Sequence, residues 1–496
     1  MLFVYLFIAK NNYCCCKSKI CKRRAEENLI MYYINKVLKN ISHPLKHIVR
    51  HKPYPVVFHN YLKNLPFTEV SVLPNGLTVA TEERECYNAC VGLYINAGSR
   101  YESHFENGIT HFFEHIAFKG TNARAKTVLE EQMSSLGAQF HCSTSREIAT
   151  YYAECLCEDV SLVVDILTDC VFNNLYCPAD IDQQKCTVYL EMLEHDKDHN
   201  LLLSDYLHST AFQGTPLAQS VLGPSSNLYN FSTSTISIYV RKLFDPKRTV
   251  LIGVGGIKHS QLVGLAESYL SKLEPTKCID TGEYRFTGSE VRYRDDSMPL
   301  GNVAIAVEGP GLCDPDNLVL DVAAHLIGGW DRSQPGGEKH ASPIVRGCSS
   351  EHLCDSYKAF NINYKDTGLW GAQFMGPSKY LDDVLYLIQG EWMKLCTTLT
   401  DAEVERAKRE LKTDILYKTE SCKGAFHEIG RWVLYGGCYP TLHERLTSID
   451  KIFAKHVIEV CNKYIYDKCP AVAAIGTTEG LLDYTRIRAG MYWLRI

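Results

Sequence analysis

Residues 108 to 120 read GITHFFEHIAFKG and place His111, Glu114 and His115, three titratable and metal-capable side chains, inside an otherwise apolar stretch. Ile109, Phe112, Phe113 and Ile116 recur at i, i+3, i+4 and i+7, which predicts the buried face of a helix, with Gly120 after Lys119 as its stop. His111, Glu114 and His115 fall at i, i+3 and i+4 on a different face of that helix. Side chains one turn apart are neighbours, so the two imidazoles converge with a carboxylate beside them.

Zinc suits that arrangement, because it takes neutral histidine nitrogens at about 2.0 to 2.1 Å and keeps one position open in catalytic sites. Glu114, between the histidines, would then accept a proton from water, as in the HxxEH order of inverzincins, the reverse of HExxH. The alternative is a pair of helix histidines held by hydrogen bonds, with Glu114 a solvated charge. A third protein ligand must come from elsewhere, and the helical segment DIDQQKCTVYLEMLEHDKDH offers Glu191, Glu194, His195 and His199. Spacing alone does not choose among these four.

The elements that position such a site need a large fold. A chain of 496 residues exceeds one ordinary core. With 46% hydrophobic and 22% charged residues it has the composition of a soluble globular protein. No apolar run is long enough to span a bilayer, so no transmembrane segment is expected, and no nucleic-acid partner is expected either. The 21 cysteines are an odd count without framework spacing, which points to a reducing compartment and to thiols acting as small hydrophobes.

Charge is distributed unevenly. Residues 1 to 68 carry twelve Lys or Arg against Glu26 and Glu27 only, leaving 40 bases and 55 acids after Thr68, a net of -15. From Met31 to Thr68 basic residues recur among Ile, Leu, Val and Tyr with no acid, the pattern of a mitochondrial targeting segment. The opening MLFVYLFIAK has the apolar length of a secretory core but lacks preceding basic residues and a small-residue cleavage site. We therefore read 1-66 as a leader, with residues 1 to 30 an extension upstream of a start at Met31.

Internal repetition sets the domain count. KLFDPKRTVLIGVGGI, with Asp245, parallels KYIYDKCPAVAAIGTT, with Asp467, at a separation of 222 residues. VSLVVDILTDCVFNN falls opposite LDDVLYLIQGEWMKL, and PADIDQQKCTVYLEML opposite TDAEVERAKRELKTDIL, while CVGLYINAGSR meets NVAIAVEGPG at a shorter offset. Four parallels in one order predict two homologous α+β sandwich domains, each with helices packed on a mostly antiparallel sheet. The expected divisions are 67-275, a linker 276-288, and 289-496. At 222 residues beyond His111 stands Ser333, and nothing like HxxEH occurs in the second half.

His111, Glu114, His115 and Glu191 together match the pattern of the pitrilysin-type metallopeptidases. NAGSRYE, AFKGT, STSRE, DYLHSTAFQGTPLAQSVLGP, FTGSEVR, VAIAVEGPG, DTGLWG, KYIYDKCPA and MYWLRI more specifically resemble the branch that holds the β subunits of mitochondrial processing peptidase and the core 1 proteins of ubiquinol-cytochrome c reductase, complex III. The similarity runs from about Phe67 to Ile496. It implies one zinc held by His111, His115 and Glu191, with Glu114 as general base and Glu194 orienting the ligands. It also implies a matrix location, a related α subunit as heterodimer partner, and an acidic cavity for basic presequence peptides. Phe140, His141 and Cys142 on an edge strand would take the substrate backbone, and Asp205 an arginine near the cleavage site.

Departures from the family pattern are specific. His141, Cys142 and Ser143 replace an Asn-Ala-aromatic run, Leu201 replaces a second arginine-recognising acid, and Gln184 stands where a Glu is usual. Two functions follow from the resemblance: a presequence endopeptidase, or a structural core subunit of complex III with little proteolysis. Some core 1 relatives have lost a histidine of the motif, whereas this chain keeps every motif residue, which favours the enzyme. N-terminal sequencing of the mature protein tests the leader: the expected mature chain lacks residues 1 to 30, and one that begins at Met1 contradicts the reading.

Overall fold

The segment EVSVLPNGLTVAT carries a turn signal between two alternating runs, and it folds as a hairpin in which Thr68–Val72 (β1) and Thr78–Glu83 (β2) pair antiparallel. The computed structural model describes residues 66 to 275, 284 to 334 and 337 to 492. The leader lies outside the described residues up to position 65, and so does the linker from 276 to 283.

Four more strands complete the first sheet: Asn88–Ile95 (β3), Gln139–Thr144 (β4), Ala149–Leu156 (β5) and Thr249–Gly255 (β6). Their order is β1-β2-β6-β3-β5-β4, antiparallel except where β2 meets β6. The second sheet contains Glu290–Arg294 (β7), Gly301–Pro310 (β8), Gly329–Asp331 (β9), Ser356–Asn363 (β10), Thr367–Gly376 (β11) and Ala471–Gly476 (β12), in the order β7-β12-β8-β11-β10-β9. Here too one pair is parallel, β12 with β7. Five strands of each sheet therefore correspond, and β12 begins 222 residues after β6. The α+β repeat expected from the sequence is the architecture observed.

Helices of the first half are Ile109–Ile116 (α1), Lys126–Leu136 (α2), Val160–Phe172 (α3), Pro178–His195 (α4), His199–Ala211 (α5), Thr233–Leu243 (α6) and His259–Leu270 (α7). The second half has Pro315–Ile327 (α8), Pro343–Glu351 (α9), Leu381–Thr397 (α10), Asp401–Glu420 (α11), Cys422–Gly436 (α12), Leu442–Asp450 (α13), Ala454–Tyr464 (α14) and Tyr484–Ala489 (α15).

β6 and β12 are buried at every residue, which requires cover on both faces of each sheet. One face of the first sheet packs on its own helices through Val91, Leu93, Phe112, Phe113 and Leu251. Its other face, with Cys90, Tyr94, Tyr152 and Ile252, is covered by Phe426, Ile429 and Val433 of α12, a helix of the second half. The reciprocal contact also occurs, since Leu203, Leu207 and Phe212 at α5 cover Ala304, Ala306, Ala471 and Ala473 of the second sheet. Each half thus lends a helix to the other, and removing one aromatic anchor such as Phe426 would cost about 3 to 5 kcal/mol.

Polar groups lock the same junction. The buried Arg100 guanidinium bonds both carboxylate oxygens of Asp366 at 2.7 Å and also pairs with Glu147. Glu147 further accepts from the Lys365 N–H at 2.9 Å and the Tyr435 hydroxyl at 2.6 Å. A buried carboxylate so fully bonded is compensated for its lost hydration.

His208 on α5 is the pH-sensitive member of this junction. Its Nε2 lies 2.7 Å from the Tyr364 hydroxyl, and its Nδ1 lies 2.6 Å from the Ser204 carbonyl. Burial, reinforced by the Arg146 charge, holds His208 neutral, well below the usual histidine range. The unfolded chain gains a proton there below about pH 6.5 and the folded chain does not, so this stability exists above that pH and is lost as pH falls. Urea unfolding is expected to show a midpoint that drops between about pH 7 and 5.5, and a smaller drop in His208→Gln. An unchanged slope in the variant would contradict the assignment.

Candidate metal centre

Four apolar residues hold α1 in place: Ile109, Phe112, Phe113 and Ile116 are all buried, as their helical spacing predicts. At the helix start the buried Glu102 carboxylate accepts from the Gly108 N–H at 2.8 Å, the Thr110 N–H at 2.9 Å and the Thr110 hydroxyl at 2.6 Å. A carboxylate there satisfies orphan N–H groups and complements the helix dipole. Gly108 adopts φ +97°, and a Cβ on it would lie 2.4 Å from the Leu222 carbonyl, so no larger residue fits this entry. At the other end Asn174 Nδ2 donates to the Ile116 and Ala117 carbonyls, each at 3.0 Å.

The free face of α1 carries His111 and His115, whose Nε2 atoms are 3.3 Å apart. α4 crosses α1 and brings Glu191 Oε2 to 3.2 Å from His111 Nε2 and 2.9 Å from His115 Nε2. Among the described residues, these three are the only His, Cys, Asp and Glu side chains that gather in a metal-competent group. At zinc–ligand distances of about 2.0 to 2.1 Å, donors at tetrahedral angles stand about 3.3 Å apart, so the observed spacing fits a zinc ion. The donor chemistry fits as well, with two imidazoles and one carboxylate leaving a fourth position.

Glu114 lies outside that triangle but against it. Its Oε2 is 3.6 Å from His111 Nδ1 and accepts a hydrogen bond of 2.8 Å from the Thr144 hydroxyl. Burial works against its charge, yet the bonds from His111 and Thr144 prevail, and its pKa is lowered. Burial likewise opposes charge on His111, but Glu114 and Glu191 raise its pKa, whereas burial and the neighbouring His111 lower that of His115. An ionised carboxylate held beside the pair is the right species to take up a proton.

The remaining expected site residues separate. On β4, Phe140 packs on Phe118 with ring centroids 5.9 Å apart, and Cys142 Sγ lies 3.7 Å from the Glu114 carbonyl. His141 differs, because alternation along a strand sends it to the other side, where it stacks on Tyr152 at 5.1 Å. Its side chain therefore turns away from the histidine pair. Glu194 accepts from Lys197 Nζ at 2.7 Å at the surface, and among the described residues no hydrogen bond or ion pair joins it to His111, His115 or Glu191. Asp205 accepts from Arg146 at 2.5 Å and from Ser220 at 3.0 Å, so an arginine of another chain would have to compete with Arg146.

Sequence reasoning missed Thr144 and Arg146. Thr144 stands two residues after Cys142 on one strand, and the period of two was the available signal. It also put the second-half counterpart of α1 too far along. By order after the strand, that counterpart is α8, which carries Asp321 and His325 with the i, i+4 spacing, while Ser333 lies beyond β9. His325 Nε2 is 3.1 Å from Asp414 of α11, an echo of the first site without its third donor.

Comparison with known proteins bears on this geometry. Residues 78 to 225 match the family described as insulinase, peptidase family M16, and residues 231 to 411 match the peptidase M16 inactive domain. Mitochondrial cytochrome b-c1 complex subunit 1 of Mus musculus is 41% identical over 442 residues, covering 88% of this chain and 92% of that protein. The mitochondrial-processing peptidase subunit beta of Homo sapiens is 40% identical over 438 residues, covering 87% and 89%. A chain in the structure of complex III2 from Candida albicans, Inz-5 bound, superposes with a TM-score of 0.77 at 25% identity, over 86% of this chain and all of that one.

Two outcomes follow from the site. Glu191→Ala is expected to weaken zinc binding by at least about ten-fold in calorimetry, because it removes one of three donors. Thr144→Val removes one bond to a charged carboxylate and is expected to raise the Glu114 pKa, read by NMR titration of the carboxyl, with metal content unchanged. Loss of metal in the Thr144 variant would instead mean that the strand shapes the ligand triangle itself.

Proposed function

We propose that this chain, which belongs to the insulinase family, peptidase family M16, is the catalytic subunit of a zinc metalloendopeptidase that removes basic presequences from mitochondrial precursor proteins. The observation that carries the reading is the intact triangle of His111, His115 and Glu191 with the ionised Glu114 beside it. Zinc held there would act as a Lewis acid and lower the pKa of water toward about 7. The chain's own residues supply the rest.

Glu114 accepts the proton of the attacking water and returns it to the leaving amine, while Thr144 fixes the carboxylate orientation. β4 is the edge of the first sheet, so its outer N–H and C=O groups are open to an extended peptide beside α1. A net charge of -15 after Thr68 favours basic peptides over acidic ones. Catalysis then belongs to 67-275, and 289-496 completes the chamber, with no metal-competent group among its described residues. A related α subunit is the expected partner, as the name of the beta-subunit relative suggests, and the mitochondrial matrix the expected location.

A second reading has its own support. Cytochrome b-c1 relatives are as similar as the peptidase subunits, and the matching solved structure is a complex III. In that case the chain is a matrix-side core subunit, and described residues contain no helix long and apolar enough to cross a membrane.

The test combines the mature chain with an α subunit and a presequence-bearing precursor. Wild type is expected to cleave, and Glu114→Gln to lose about 10² to 10⁴-fold in kcat while retaining zinc. Absence of cleavage by the wild type, together with copurification with complex III, would replace the peptidase reading by the structural one.

A further inference from the structure

The connection between β2 and β3 carries Arg84 and Cys86 of the first half against the junction of α11 and α12 in the second. Arg84 Nη1 donates to the Glu420 carbonyl and Nη2 to the Thr419 carbonyl, each at 2.9 Å. Two residues on, Cys86 Sγ lies 3.9 Å from Sγ of Cys422, the first residue of α12, across 336 positions of sequence. Both thiols are free and half-buried. They flank Asn88, with Cys86 Sγ 3.2 Å from its carbonyl and Cys422 Sγ 4.0 Å from its Oδ1.

We propose that Cys86 and Cys422 are a thiol pair that forms a reversible disulfide between the two halves by exchange with glutathione disulfide. Sulfurs in a disulfide are about 2.05 Å apart, so the pair must close by about 2 Å, a movement within side-chain rotation for one residue in a turn and one at a helix start. In the exchange one thiolate attacks a sulfur of glutathione disulfide and expels glutathione thiolate. The second protein thiolate then attacks the mixed disulfide and expels the other. Two cysteine thiols are oxidised, one glutathione disulfide is reduced to two glutathione thiols, and these take the two protons.

Other thiols fit less well. Cys157 Sγ lies 3.5 Å from the Cys86 carbonyl, but it belongs to the first half and would tie nothing across the junction. Cys348 and Cys354 are neighbours in the second half, yet both are buried away from an oxidant. A shared soft metal is not indicated either, since no three of these sulfurs converge among the described residues. Arg84 already holds the two segments in register, so the new bond would tie together what is adjacent.

The experiment treats the purified full-length protein with glutathione disulfide, alkylates the remaining thiols, digests and reads cross-linked peptides by mass spectrometry. Burial pushes the Cys422 thiol up to about 11, so the exchange is run at mildly alkaline pH. The expected product is a Cys86–Cys422 peptide pair released by dithiothreitol, with a melting temperature raised by about 3 °C or more. Cys422→Ser should lose both the pair and the thermal shift, and Cys157→Ser should keep both. A product joining Cys86 to Cys157, a stable mixed disulfide with glutathione, or no cross-link would each overturn the proposal.

Discussion

A carboxylate on one helix must reach two imidazoles on another, 80 residues apart in sequence between His111 and Glu191, and the rest of the site depends on that meeting. α1 has only eight residues, so its own hydrogen bonds would not hold it in water. Its position comes from elsewhere: four apolar side chains sunk in the core, the Glu102 carboxylate at its start and Asn174 at its end. α4, with Ile181, Val188 and Met192 buried, is fixed on the same core, and Glu191 extends from it to the two histidines. Rigid apolar anchoring on one face is what permits a precise polar constellation on the other.

The two halves form one body because each sheet needs cover that its own half does not supply. α12 closes the outer face of the first sheet and α5 that of the second, so the first half would expose Tyr94, Tyr152 and Ile252 without its sister. The buried Arg100 with Glu147 and Asp366 adds charge-assisted, bidentate bonds to this apolar exchange. Coupling of the halves has a consequence at the site. The strand that presents Cys142 and Thr144 to α1 rests, through His141 and Tyr152, on the side covered by α12.

Electrostatics divide the polar residues into those that face outward and those already committed. Glu114 is held ionised beside the histidine pair. Asp205, in contrast, is bonded to Arg146 and Ser220, and a basic peptide that reached it would trade one arginine for another. Acidic residues count toward attraction of a basic ligand over distance, yet only unpaired ones are free to bind it on contact.

Sequence by itself determined what is local. The i, i+3, i+4 placement of His111, Glu114 and His115 follows from helical pitch, and the burial of Ile109, Phe112, Phe113 and Ile116 follows from the same period. The repeat was legible because homologous strands keep similar residues, as in β6 and β12. Choosing Glu191 over Glu194, His195 and His199 on residue spacing alone was beyond it, because all four lie on one charged stretch and only the crossing of α4 over α1 tells them apart. Tertiary structure also decided which side of β4 His141 takes, which arginine occupies Asp205, and that α5 and α12 exchange partners. Those are contacts between segments distant in the chain, and no period in a single segment encodes them: they are set by how two sheets bury both of their faces.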